Sequence, residues 1–270
     1  MLRDITLGQY YQTDSILHRL DARVKIIGTF WFIISIFLIN RVSGYLVAAA
    51  FLALVIKLSH VPFRYMIKGL KSIMILLMIT FAFNIFLTPG EILVQFGPLH
   101  VSREGLVLAL KMAVRLILLI IGSSLMTLTT TPNNLTDGLE KIFNPLKVLH
   151  VPVHEVAMMM SIALRFIPIL IDETDKIMKA QMARGADFES GSLMKRAVSL
   201  GALLEPLFIS AFQRANDLAM AMEARCYRGG EGRTKMKPLI YQKKDYLAFL
   251  VIYGYLVVCV LIGRVLPLPF

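Results

Sequence analysis

Residues Ala157–Ile171 read AMMMSIALRFIPILI, an apolar run between VHEV on one side and DETDK on the other. Whether that run crosses a bilayer decides the fold. A spanning helix needs about 20 mostly apolar residues to traverse roughly 30 Å of hydrocarbon. This run has 15, with Arg165 near its middle and Pro168 near its end. A charge in lipid is expensive, and an interior proline disrupts a regular helix. The stretch therefore reads as a helix lying along the membrane surface or packed beneath other spans.

Spans are supplied elsewhere in the chain. Of its 270 residues 57% are hydrophobic and 17% charged, too little polar surface for a water-soluble globule. Four runs have spanning character, Val24–Ile39, Val42–Leu58, Ser72–Thr88 and Gly105–Thr130, and a fifth follows at Tyr246–Leu266. Arg3, Arg19, Arg23 and Lys25 lie before or at the very start of the first run, and Lys57, Arg64, Lys68 and Lys71 join the second to the third. The alternate connections hold only Arg41 and Arg103. Basic residues favour the cytoplasmic side, so the N-terminus is expected inside and the C-terminus outside. Residues 135–244, with 16 of the 29 Lys and Arg, then fall in the cytoplasm. The net charge of +11 suits anionic lipid or an acidic partner better than nucleic acid. Cys226 and Cys259 fall in a polar and an apolar stretch and imply no disulfide. The expected fold is an all-α polytopic membrane protein with about five transmembrane helices and a cytoplasmic platform of long amphipathic helices. Its expected parts are residues 1–23, cytoplasmic; 24–130, four spans; 131–244, the platform; and 245–266, the last span.

The platform has a second long helix. Between Ser192 and Arg225, Leu204, Phe208, Phe212, Leu218 and Met222 recur at helical spacing, with Glu205, Gln213, Arg214 and Asp217 elsewhere. They form one apolar stripe suited to packing against another membrane protein or the chain's own spans. Unbroken, that helix would extend about 50 Å, with a bend expected at Pro206. Both long helices stop in similar words: Ala183-Arg184-Gly185 and Ala224-Arg225-Cys226. Glycine is the usual stop signal, supplied at Gly185 in the first case and, a turn late, at Gly229 and Gly230 in the second. A helix-end cation complements the dipole for about 0.3–1 kcal/mol. The duplication suggests more, because a small residue beside each arginine lets its planar fork enter a groove on a partner.

Chemistry motifs are few. No Gly-x-x-x-x-Gly-Lys-Ser/Thr loop is present to cradle ATP phosphates. His154-Glu155 begins like a zinc-binding His-Glu-x-x-His, but Met158 stands at the second ligand position, so no metal site is expected. His18 reads as a packing or hydrogen-bonding residue. Lys111 and Arg115, four apart on the fourth span, share a helix face and would mark a pathway, or else snorkel and bond to carbonyls.

The paired motifs, the stretch SILHRLDARVK from Ser15 to Lys25, and the order of spans, cytoplasmic helices and last span together resemble the transmembrane T components, EcfT, of energy-coupling-factor (ECF) ABC-type vitamin transporters. The family's Leu-His-Arg-Leu-Asp-Pro-Arg-x-Lys pattern is matched by Leu17, His18, Arg19, Leu20, Asp21, Arg23 and Lys25, with Ala22 in place of proline; Cys226 replaces the glycine of the second motif. The resemblance implies a non-catalytic scaffold of the prokaryotic cell membrane. Ala183, Arg184, Gly185, Ala224, Arg225 and Cys226 would dock onto two ABC-type ATPase subunits that bind ATP and magnesium. The apolar stripe would hold a substrate-binding S component, carrying a vitamin or a trace metal ion. Two other readings stay open: a secondary transporter binding solute within its own spans, disfavoured by the scarcity of intramembrane polar residues, and an integral-membrane enzyme.

Overall fold

The computed structural model describes residues 10–39, 41–96, 99–186, 188, 193–230, 236 and 238–265. Among these described residues eight α-helices follow in order: α1 Ala22–Leu38, α2 Val42–Ser59, α3 Phe63–Leu87, α4 Arg103–Thr129, α5 Pro132–Phe143, α6 Val153–Ala183, α7 Leu193–Ala224 and α8 Lys243–Val265. A short 3₁₀ turn, Asn144–Leu149, joins α5 to α6. Residue 266, the expected end of the last span, lies outside the described residues.

Between α3 and α4 the chain forms an antiparallel hairpin, β1 Ile92–Phe96 and β2 Leu99–Ser102. The helical fold thus carries one two-stranded element that the hydropathy pattern did not suggest. Ser102 ends it and starts α4: its hydroxyl accepts the Gly105 N–H at 3.0 Å and donates to the Thr88 carbonyl at 2.7 Å. A Cβ on Gly105 would stand 2.7 Å from the Asn84 carbonyl oxygen, so glycine lets the two helices meet here. The third helix begins at Phe63, well before the apolar run at Ser72, because Pro62 sets its first turn.

Among the described residues, α2, α4, α6 and α8 are long and apolar enough to cross a membrane, and α3 makes a fifth if its two halves, Phe63–Lys71 and Ile73–Leu87, count as one span. α1, with 17 residues, is slightly shorter than these. α6 meets the same criterion of length and composition although its sequence suggested a surface helix, because it is a continuous helix of 31 residues through Pro168.

The Cα packing groups residues 8–141 and 239–270 into one compact unit and residues 142–238 into another. In the first, α1 packs on α4 and α8, and α2 on the same two helices, with α3 against α4. Phe32, Ile36, Ala48, Leu52, Leu125 and Tyr255 lie in its core. Phe51 stacks on Tyr255 at 4.2 Å between centroids, and the buried Tyr255 and Ser35 hydroxyls hydrogen-bond at 2.8 Å, so neither polar group is stranded. Gly122 allows Phe32 to approach: a Cβ there would fall 2.5 Å from the ring.

Candidate functional site: two matched helix ends

In the second unit α6 and α7 run antiparallel, with Gln181 against Ala202 and Glu173 against Arg214. Pro206 has no N–H to offer the carbonyl four residues back. That carbonyl belongs to Ala202, and Gln181 Nε2 donates to it at 3.3 Å, so the side chain of one helix fills the gap left by proline in the other. Arg214 Nη2 meets Glu173 Oε2 at 2.9 Å further along.

The two ends have the same geometry. At the end of α6 the Gly185 N–H donates to Met182 O at 3.0 Å and the Ala186 N–H to Gln181 O at 2.9 Å, with Gly185 at φ +90°. At the end of α7 the Cys226 N–H donates to Glu223 O at 2.8 Å and the Tyr227 N–H to Met222 O at 3.0 Å, with Cys226 at φ +56°. Each is a Schellman motif in which the residue after the arginine turns left-handed. The stop of the second helix is therefore Cys226 itself and not the later glycines. A side chain in this conformation costs on the order of 1–2 kcal/mol. Arg184 and Arg225 are the equivalent C-cap residues. Both are exposed, as are Ala183 and Ala224 beside them. Among the described residues neither guanidinium has a side-chain partner.

Because the helices are antiparallel, the two arginines lie at opposite ends of the pair. Arg184 follows Gln181, which touches Ala202; from Ala202 to Arg225 the helix rises about 35 Å at 1.5 Å per residue. The arrangement presents two planar cations, each at the negative end of a helix and each with room for a partner's approach. Along α7, Leu204 (59% exposed), Phe208 (65%) and Phe212 (58%) form an open apolar face. The Phe208 and Phe212 rings lie 4.9 Å apart, while Leu218 and Met222 are half-buried.

The N-terminal motif forms a separate polar knot in the first unit. Asp21 caps α1, accepting the Arg23 N–H at 2.9 Å and pairing with Arg23 Nη2 at 2.7 Å; the Arg23 guanidinium lies 3.7 Å from the Tyr241 ring centre. The Asp21 N–H donates to Asp245 Oδ1 at 3.0 Å, and Asp245 Oδ2 accepts the Gln242 N–H at 2.7 Å, the carboxylate half of a capping box at the start of α8. Lys25 Nζ donates to Thr129 O at 2.8 Å, at the end of α4. His18 Nε2 reaches Tyr11 O at 3.0 Å and Nδ1 reaches Ser15 Oγ at 2.7 Å. Since a carbonyl only accepts, Nε2 carries the proton and Nδ1 accepts from Ser15. Burial holds the His18 pKa below its usual value. Arg19 pairs with Asp14 in solvent, which lowers the Asp14 pKa. The starts of α1 and α8 and the end of α4 thus share one end of the unit. Sequence reading missed Asp245 and Tyr241, for which the only local signal was an acid at the third position of α8. Arg115, on α4, donates to the Ile39 carbonyl at 3.1 Å and to the Tyr45 hydroxyl at 3.0 Å, capping the end of α1.

These features define a polytopic helical membrane protein with a pair of arginine-capped helix ends. Residues 13–236 match the family model described as CbiQ, cobalt transport protein. The chain is 55% identical over 252 residues to the energy-coupling factor transporter transmembrane protein EcfT of Clostridium kluyveri, covering 93% of each chain. It is 49% identical over 246 residues to the protein of the same name from Bacillus subtilis strain 168, covering 91% of this chain and 93% of that one. The chain belongs to this family of transmembrane components of energy-coupling factor transporters.

Proposed function

We propose that the chain is the non-catalytic coupling subunit of an ATP-driven importer in a prokaryotic cell membrane. Two partner ATPases bind ATP and magnesium, and a substrate-binding membrane subunit carries a vitamin or a trace metal ion. The N-terminus is cytoplasmic and the C-terminus external, in keeping with the clustering of Lys and Arg at alternate connections. α6 and α7 lie on the cytoplasmic side, where Asp172, Glu173, Asp175, Lys176 and Lys179 of α6 stay hydrated. Leu204, Phe208 and Phe212 face the substrate-binding subunit.

The observation that carries this reading is the pair of matching helix ends. Two like plugs at opposite ends of one helix pair suit two like sockets. Each arginine enters a groove on one ATPase and bonds to carboxylates or helix-end carbonyls. Breaking a buried charged contact costs about 2–5 kcal/mol, against about 0.3–1 kcal/mol for losing an exposed helix-end cation. Arg184→Glu and Arg225→Glu are therefore each expected to weaken co-purification of the ATPases and to uncouple ATP hydrolysis from uptake. The double variant should be worse than either, with membrane insertion intact. Full assembly and uptake by the double variant would reduce both arginines to helix caps.

A further inference from the structure

The first unit contains a cavity of about 430 Å³ walled by α1, α2, α4 and α8, within the usual size range of small-molecule sites. Its walls are largely apolar, with Phe32, Phe51, Leu125 and Ile252 among them, and Leu17 and Leu20 of the N-terminal motif line it near the start of α1. Its basic residues are Lys25, Lys243 and Lys244, all at the end where α1 and α8 begin and α4 finishes. From Lys25 to Phe32 and from Lys243 to Ile252 the walls run about 10 and 14 Å along the helices. One leaflet of hydrocarbon is roughly 15 Å deep, half of the whole core. The cavity is thus a slot of leaflet depth, apolar along its length and basic at one end.

Charge at the basic end is not cancelled internally. Asp21 is held by Arg23, and both Asp245 oxygens accept backbone N–H groups. Lys25 is committed to the Thr129 and His18 carbonyls. Lys243 and Lys244 are exposed and, among the described residues, pair with no carboxylate. A solute of the aqueous phase would find few fixed polar groups along these walls, whereas a molecule with a long apolar tail and an anionic head matches both parts. We propose that this slot holds an acyl chain of an anionic phospholipid, whose phosphate sits on Lys243 and Lys244. The bound lipid joins α8 to α1 and α4 at the knot, an attachment distinct from the coupling role of α6 and α7.

The test is native mass spectrometry of the full chain in detergent, titrated with phosphatidylglycerol or phosphatidylcholine of identical chains. Phosphatidylglycerol should be retained preferentially. Each lysine near a membrane surface contributes about fivefold to binding of an anionic lipid, so Lys243→Gln with Lys244→Gln should reduce its retention roughly 25-fold and leave phosphatidylcholine unchanged. Ala248→Phe, which fills the slot, should reduce retention of both lipids. Equal retention of the two lipids by the unmodified chain, or no effect of either variant, would overturn the proposal. Loss of the lipid on assembly of the whole transporter would do so as well, by assigning the slot to a partner subunit.

Discussion

Asp21→Ala is expected to destabilise the membrane unit far more than a surface change would. The Asp21 and Arg23 side chains are only 4% and 11% exposed, and their contact is 2.7 Å. Alanine removes the helix cap, worth about 1 kcal/mol. It also leaves a buried guanidinium with only the Tyr241 ring, and breaking such a pair costs about 3–5 kcal/mol. The Arg23–Tyr241 cation–π contact is present before and after the change and does not enter the difference, so the net loss is on the order of 4–6 kcal/mol. The bond from the Asp21 N–H to Asp245 survives the substitution, so the α8 tie does not contribute to the difference. Asp21→Asn retains a capping oxygen and should lose about 1 kcal/mol less. The assay is reversible unfolding in mixed micelles, with Asp21→Ala, Arg23→Gln and the double variant forming a cycle. A coupling energy of about 2 kcal/mol or more is expected. Additivity within about 0.5 kcal/mol would refute the assignment of this pair as a buried structural contact.

Three further outcomes follow from the geometry. Cys226→Gly should stabilise the end of α7 by about 0.5–1 kcal/mol, since glycine takes the left-handed position without strain, whereas Cys226→Val should destabilise it by about 1–2 kcal/mol; helix-end hydrogen exchange reports both, and indifference to valine would show that the turn does not persist. The lowered His18 pKa means that the unfolded segment takes up a proton before the folded one, so the stabilisation is fully present above the ordinary pKa of 6.5 and is lost as pH falls below it. Hydrogen exchange of residues 10–20 should quicken between pH 7.5 and 5.5, and a flat profile after correction for intrinsic rates would contradict the sign. Finally, a reporter fused after Thr131 or near Gly230 should be cytoplasmic and one after Phe270 external; an external signal near Gly230 would place α6 across the bilayer.

Local sequence was a good guide where one residue type decides the outcome. The apolar runs at Val42–Leu58 and Gly105–Thr130 lie within a few residues of α2 and α4, because few polar groups interrupt either helix. The start of α3 was hidden, since Lys68 and Lys71 dilute its first turns and hydropathy cannot see a proline-set start. The hairpin was passed over although ILVQF and LHVS flank Gly97-Pro98, a turn-forming pair between two strand-like runs. At the candidate site, both arginines and both alanines were legible from the repeated wording. The equivalence of the two turns was not, because a non-glycine residue at positive φ, as at Cys226, leaves no mark in the sequence. Asp245 was invisible for another reason: its role depends on Asp21, 224 residues away.

The antiparallel pair that carries Arg184 and Arg225 also behaves as a gauge. Hydrogen-bonded helices resist stretching far more than they resist bending, so the distance between its two tips is nearly constant. Anything that grips both tips and then changes its own spacing must swing the pair as a beam or flex it where the backbone ladder is interrupted. Those interruptions are at Pro168 and Pro206, one in each helix. The bond from Gln181 to Ala202 splints the second of them, leaving swing as the softer response at that end.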